Sequence, residues 1–242
     1  MEPAAPKKRS PWLYVGIGCG ALLLLSIVAV VVAISFMFKK GEEYAADLSN
    51  PVTRTAMVKK TLGADTLPDG YFAVMSLSVP AIMDMAVLST RSPDAPTTGP
   101  KEEVRVFVYM FLKMSSASDQ QKLRQYVEGK SDDTSVLTRN GVHVGQGEII
   151  GRGIVPLSDG RRVLYVTQRG ELSAQNQKST DHGLNSVLFL ECPGQTQLRM
   201  AFWMGEDPDP EAPLDSLDLK GTPVDPEAIR TFMSPLNPCK ES

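Results

Sequence analysis

Histidine is nearly missing from this sequence: only His143 and His182 occur in 242 residues. A Ser/His/Asp site needs a histidine beside a nucleophile on a strained turn, and no Gly-x-Ser-x-Gly segment is present to supply one. His143 alternates with Val142 and Val144 as a strand residue would, and His182 follows Asp181 in a polar stretch; both read as structural or solvated. Cysteine is equally scarce. Cys19, Cys192 and Cys239 show none of the close pairing that zinc ligands adopt. There is no basic excess either, since residues 41–242 hold 20 Lys+Arg against 27 Asp+Glu. Nucleic-acid binders carry a basic face, whereas Lys59-Lys60 and Arg161-Arg162 are isolated pairs that read as solvated surface. The charge balance argues against nucleic acid as a partner.

Other absences narrow the chemistry further. Gly141, Gly145, Gly147, Gly151 and Gly153 match neither the Walker nor the dinucleotide spacing, and they fall inside an extended segment. Bulges or close backbone packing explain them better, and no cofactor is expected. Met83 with Met85, Met110 with Met114, and Met200 with Met204 repeat every second residue and so share strand faces. Thioethers can hold Cu(I), but filling a core is their commoner task. The acidic loop Glu206, Asp207, Asp209, Glu211 lacks the EF-hand pattern for calcium. No metal site is assigned, and no pair of carboxylates is singled out by spacing.

What the chain does have is one long apolar run. From Trp12 to Phe38, 27 residues carry no charge, and only Ser26 and Ser35 interrupt the aliphatic stretch. Roughly 20 residues cross a bilayer core of about 30 Å. A removable signal peptide has a shorter apolar region ending in a small-x-small site, whereas this run ends in Phe36-Met37-Phe38-Lys39-Lys40. A retained signal anchor is the expectation. Lys7, Lys8 and Arg9 precede the span and Lys39, Lys40 and Arg54 follow it, so the charge rule nearly ties. The short basic N-terminal tail and the ability of long domains to translocate regardless of charge favour a cytoplasmic N-terminus. The expected localisation is membrane, single-pass, with the C-terminal domain extracytoplasmic. Gly16 and Gly20 form a small-xxx-small pair that permits helix packing and a homodimer through the span.

The expected organisation is a cytoplasmic tail over 1–11, a transmembrane helix over 12–38, a connector over 39–50 and one soluble domain over 51–242. Asn50-Pro51 suits a capped helix start, and Gly63 ends the helix Val52–Leu62. Tyr71–Val79, broken by Pro80, reads as a strand, followed by Met83–Thr90 and by Val104–Met114, which is nearly continuous in apolar residues and hence expected to be central. A helix over Ser118–Gly129 precedes strands over Val142–Leu157, Arg162–Arg169, Ser186–Cys192 and Gln197–Met204. Asp159-Gly160 suits a tight hairpin and Pro193-Gly194 a type II turn. After an acidic loop over Gly205–Val224, Asp225-Pro226 opens a last helix, Glu227–Met233. This order predicts an α+β fold with a largely antiparallel sheet flanked by helices.

The Pro68-Asp69-Gly70-Tyr71-Phe72 lead-in, the strand closing at Val79-Pro80, the hairpins and the terminal helix with Ile229 and Phe232 resemble PsbP-like domains. The resemblance covers Leu67–Met233 in element order, without the tryptophan that such domains often carry soon after the position of Pro80. An anchor followed by a small α+β domain also resembles many uncharacterised bacterial single-pass envelope proteins, a likeness that implies no activity.

Cys192 and Cys239 are the only cysteines of the soluble domain, and an extracytoplasmic compartment is oxidising. A disulfide between them is expected, the other reading being two free thiols with Cys192 buried as a small apolar residue. The functional expectation is a non-catalytic domain that binds a protein or cell-envelope ligand beside the membrane. The alternatives are an enzyme whose active-site residues are dispersed along the chain, and a metal- or small-ligand-binding domain.

Overall fold

A computed structural model describes residues 46–95, 103–113, 116–139, 142–144, 147–174, 177–178, 183–195 and 197–240. The chain divides into two units, Met1–Ser49 and Asn50–Ser242, and the second carries all the elements below. The span Trp12–Phe38 with Gly16 and Gly20, together with Met114, His182, Gly141 and Gly145, lies outside the described residues. Among the described residues no helix is long and apolar enough to cross a membrane.

Helix α1 (Pro51–Leu62) begins where the Asn50 side chain accepts from the backbone N–H groups of Val52 and Thr53, satisfying two of the helix's orphan donors. It stops at Gly63, whose φ of 58° is a left-handed C-cap conformation. A Cβ there would also come within 2.0 Å of the Asn237 carbonyl oxygen, so glycine is required twice over. Arg54, Val58 and Leu62, spaced four apart, form the buried face.

The strands follow as β1 (Phe72–Val79), β2 (Met83–Ser89) and β3 (Val106–Leu112). Helix α2 (Ala117–Val127) is opened by a capping box between Ser116 and Asp119, and a short helix α3 (Ser135–Arg139) comes next. Then come β4 (Val142–Val144), β5 (Glu148–Pro156), β6 (Arg162–Arg169), β7 (Leu172–Ala174), β8 (Gln177–Lys178), β9 (Gly183–Glu191) and β10 (Leu198–Glu206). A 3-10 turn over Leu214–Ser216 and helix α4 (Pro226–Met233), capped by Asp225, complete the domain.

Seven strands form one antiparallel sheet in the order β1-β2-β3-β10-β9-β6-β5, and β4-β7-β8 form a small second sheet. The α+β class and the antiparallel sheet therefore hold, with β3 in the interior. One expected strand does not: Val142–Leu157 is divided between β4 and β5, which belong to different sheets. The glycines behave as packing and bulge residues. Gly151 sits at a register shift of β5 against β6, and a Cβ on Gly153 would meet the Tyr165 hydroxyl at 2.8 Å. His143 is on β4 opposite Ser173.

Alternation along the strands gives the large sheet two unlike faces. One face presents Leu88, Phe107, Tyr109, Val163, Leu188 and Trp203 to α1, α4 and the C-terminal tail. At its centre Phe232 of α4 meets Trp203, Phe107 and Tyr71, with ring centroids 4.5, 4.7 and 4.8 Å apart. The other face carries a cross-strand row of Leu77, Met85, Met110, Met200, Phe189 and Leu164. Leu123, Tyr126 and Val127 of α2, with Val136 and Leu137 of α3, pack into this second core.

One side chain gathers the first part of the acidic loop. Arg169 donates Nε to Asp207 (2.5 Å), Nη1 to the Ala212 carbonyl (2.6 Å) and Nη2 to the Asp209 carbonyl (2.7 Å). The other Asp207 carboxylate oxygen accepts from the Asp209 N–H at 3.0 Å. Asp207 is thereby a structural anchor, and its oxygens are committed to the loop itself.

Candidate ligand cleft

A cleft of about 470 Å³ opens where α2 passes the ends of β6 and β9 and the turn leading into β10. Helix α2 supplies Gln120, Gln121, Leu123 and Arg124, because one side of its exposed surface faces the strand ends while Leu123 reaches the core. From β6 come Arg162 and Leu164, which lie two apart and so share a face of the strand. The end of β9 adds Phe189, Glu191 and Cys192, and the following turn adds Pro193, Gln195 and Gln197 before Leu198 and Arg199 begin β10. The turn is the Pro193-Gly194 one expected from sequence, with Gly194 at φ 73° and the Gln195 N–H donating to the Cys192 carbonyl at 3.1 Å.

The lining has a clear division of chemistry. Leu123, Leu164, Phe189 and Leu198 are apolar, while four glutamines and three arginines supply polar groups. Glu191 is the one carboxylate among the lining residues. Arg124 forms an ion pair with it, and Arg162 approaches it at 3.5 Å. Both arginine side chains stay about half exposed. Glu128, just beyond α2, also lies in the field of these two arginines, but it pairs with Lys130 at 2.8 Å. The hydrogen bond from Lys130, with added help from Arg124 and Arg162, holds the Glu128 carboxyl below its usual range.

Arg199 is the buried member of the three, at 5% exposure. Its guanidinium lies over the Phe111 ring at 4.1 Å from the centroid and donates Nε to the Pro238 carbonyl at 3.2 Å. Burial pushes the neighbouring Tyr109 phenol well up, with Arg199 opposing the shift, so this tyrosine stays neutral and provides no counter-charge. Arg199 Nη1 and Gln195 Oε1 are both buried without a hydrogen-bond partner. Gln195 Nε2 meanwhile donates to the Cys239 carbonyl at 3.2 Å. Two residues of the cleft therefore grip consecutive carbonyls of the C-terminal tail, and each leaves one further polar atom unsatisfied.

That tail is fastened by several contacts. Cys192 and Cys239 lie at disulfide distance, with Cα atoms 5.5 Å apart and their sulfurs joined. Arg161 donates to the Leu236 carbonyl and pairs with Asp159 at 2.5 Å. The Arg161-Arg162 pair, expected as solvated surface, is in fact divided by strand alternation. Arg161 is 6% exposed and structural, while Arg162 faces the cleft.

Of the cleft's charged residues only Arg162 stood out in the sequence, as half of a basic pair read as solvated surface, because they come from α2, β6, β9 and β10 and share no local spacing. The available signal was weak: an arginine or glutamate immediately bordering an apolar strand, as at Arg162, Glu191 and Arg199. Compared with protein-family models, with curated proteins and with solved structures, the chain has no match.

Proposed function

We propose that this chain is a membrane-anchored, non-catalytic domain presented outside the cytoplasm, where it binds a protein or cell-envelope ligand through the cleft beside α2. The observation that carries the reading is the composition of that cleft: an apolar floor ringed by amides and half-exposed arginine side chains. Amides and guanidiniums are recognition groups with many donors and strict geometry. The carboxylate of Glu191 is drawn into ion pairs with Arg124 and Arg162, and the sulfur of Cys192 is joined to Cys239, so neither is poised as a base or nucleophile. The uncharged run Trp12–Phe38 supports the anchor, and the Cys192–Cys239 pair suits an oxidising compartment. Gly16 and Gly20 would let two such anchors pack together.

Pull-down with the detergent-solubilised full chain as bait tests this reading. A bound partner or envelope fragment should be captured by the unaltered protein and lost with the Arg124→Ala/Arg162→Ala variant. Capture that is indifferent to those substitutions would move the binding site elsewhere. A reporter that works only after export, fused behind Ser242, should be active; activity of a cytoplasm-only reporter at that position would reverse the topology.

A further inference from the structure

The C-terminal tail is held in two different ways along its length. Up to Leu236 it belongs to the core: Leu236 is fully buried with Ile229, Phe232 and Met233, and Arg161 donates to its carbonyl. Beyond Leu236 the hold is polar. The Pro238 and Cys239 carbonyls accept from Arg199 Nε and Gln195 Nε2, both at 3.2 Å, and the Lys240 N–H turns back to the Asn237 carbonyl at 3.1 Å. Pro238 is the one buried residue of this stretch; Asn237 and Cys239 are partly exposed and Lys240 is exposed.

Each of the two gripping side chains is left with a buried polar atom that has no partner among the described residues, Arg199 Nη1 and Gln195 Oε1. Burying such an atom costs about as much as a hydrogen bond from the same group returns. Departure of the stretch would let water reach both atoms, so the two grips hold 237–240 with little net force. What fixes it is the covalent bond from Cys239 to Cys192.

That bond is placed where a thiol can reach it. Cys192 is 8% exposed at the wall of the cleft, whereas Cys239 is partly exposed and is followed by the ammonium group of Lys240, which attracts an incoming thiolate. In exchange with a dithiol, the first sulfur bonds to Cys239 and the bond to Cys192 breaks, Cys192 leaving as a thiolate. The second sulfur of the dithiol then attacks the first, which frees Cys239 and closes the reagent as a cyclic disulfide. Two electrons and two protons pass from the dithiol to the two cysteines.

We propose that the Cys192–Cys239 bond is a redox latch and that 237–240 is the strap it holds: exchange with a dithiol frees the strap while the sheet, α4 and Leu236 stay in place. Opening uncovers Arg199, which lies over the Phe111 ring, and releases Cys192 and Gln195, which also stand in the wall of the cleft. The redox state of the surroundings thereby sets how firmly that wall is held.

The test uses the full chain in detergent micelles with Cys19→Ser, so that the latch cysteines alone report. Dithiothreitol should open the bond without denaturant, with tryptophan emission unchanged. Adding Cys192→Ser leaves the strap unlatched with no reductant present. Iodoacetamide should then alkylate Cys239 within about threefold of its rate in a free peptide of residues 234–242, as expected where local opening costs almost nothing. Slower alkylation than that would overturn the proposal, because the strap would be staying docked without its latch. So would a bond that dithiothreitol opens only in denaturant. Loss of the folded emission on opening would also overturn it, by making the bond a requirement of the whole fold.

Discussion

The two faces of the seven-stranded sheet solve the same packing problem with different emphasis, although Phe189 and Phe202 also stand on the second face and Met233 packs on the first. The face under α1 and α4 is aromatic, with Phe107, Tyr109 and Trp203 gathered around Phe232. The other face is rich in methionine: Met85, Met110 and Met200 are buried there, and Met75, Met83 and Met204 are partly buried beside them. Rings have few rotamers and lock against one another at defined angles, whereas methionine is unbranched, flexible and tolerant of irregular gaps. The aromatic face is also fastened from outside, by Trp203 Nε1 donating to the Tyr71 hydroxyl at 2.7 Å and by the tail that runs past Gly63. Burial moves the Tyr71 phenol up to about 12, against the pull of the Trp203 hydrogen bond, so this contact persists through the neutral range. Specificity of the fold is therefore concentrated on one side of the sheet, and adaptability on the other.

Phe232→Ala should break this asymmetry most strongly. It removes a ring in contact with three others, and loss of a buried phenylalanine costs roughly 3–5 kcal/mol. Guanidinium unfolding of the full chain measures it; a loss under about 1 kcal/mol would mean that the ring cluster is ornamental.

Next in size is release of the tail. Separating Cys192 from Cys239 by reduction, or by Cys239→Ser, should cost roughly 2–4 kcal/mol, given the 47-residue separation between the linked positions. Thiol labelling of denatured, unreduced protein checks the bond directly. Cys19 alone should react, and labelling of Cys192 and Cys239 without reductant would refute the pairing. The smallest effect belongs to the methionine face, where Met110→Leu and Met200→Leu should each cost less than about 1.5 kcal/mol because volume is conserved. A larger loss there would show that this face is as exacting as the aromatic one.

The elements that the sequence announced are those with local punctuation. Asn50-Pro51 and Asp225-Pro226 marked the starts of α1 and α4, and Gly63, Asp159-Gly160 and Pro193-Gly194 marked a stop and two turns. Elements whose existence depends on partners were not visible. Helix α3 and strands β7 and β8 are short and gain their order from neighbours. The division of Val142–Leu157 followed from which sheet each half joins, and no residue pattern carries that information. The cleft was hidden for the same reason, since Arg124, Arg162, Glu191 and Arg199 are gathered by topology. Asp207 stands in an acidic run that carried no metal-binding pattern, and the cation that holds it, Arg169, lies 38 residues away in sequence and could not be read from that run.

Strand order carries a consequence for how the domain comes into being. β10 stands between β3 and β9, so the hairpin half β1–β3 and the half containing β5, β6 and β9 are joined by strand pairing only through it. Until the chain has been made as far as Glu206, each half keeps an unpaired strand edge with exposed N–H and C=O groups. Such edges invite pairing with other chains, and long-range closures of this kind are slow. A domain built in this way matures late in its own synthesis. Its last strand to form is the one on which both halves depend.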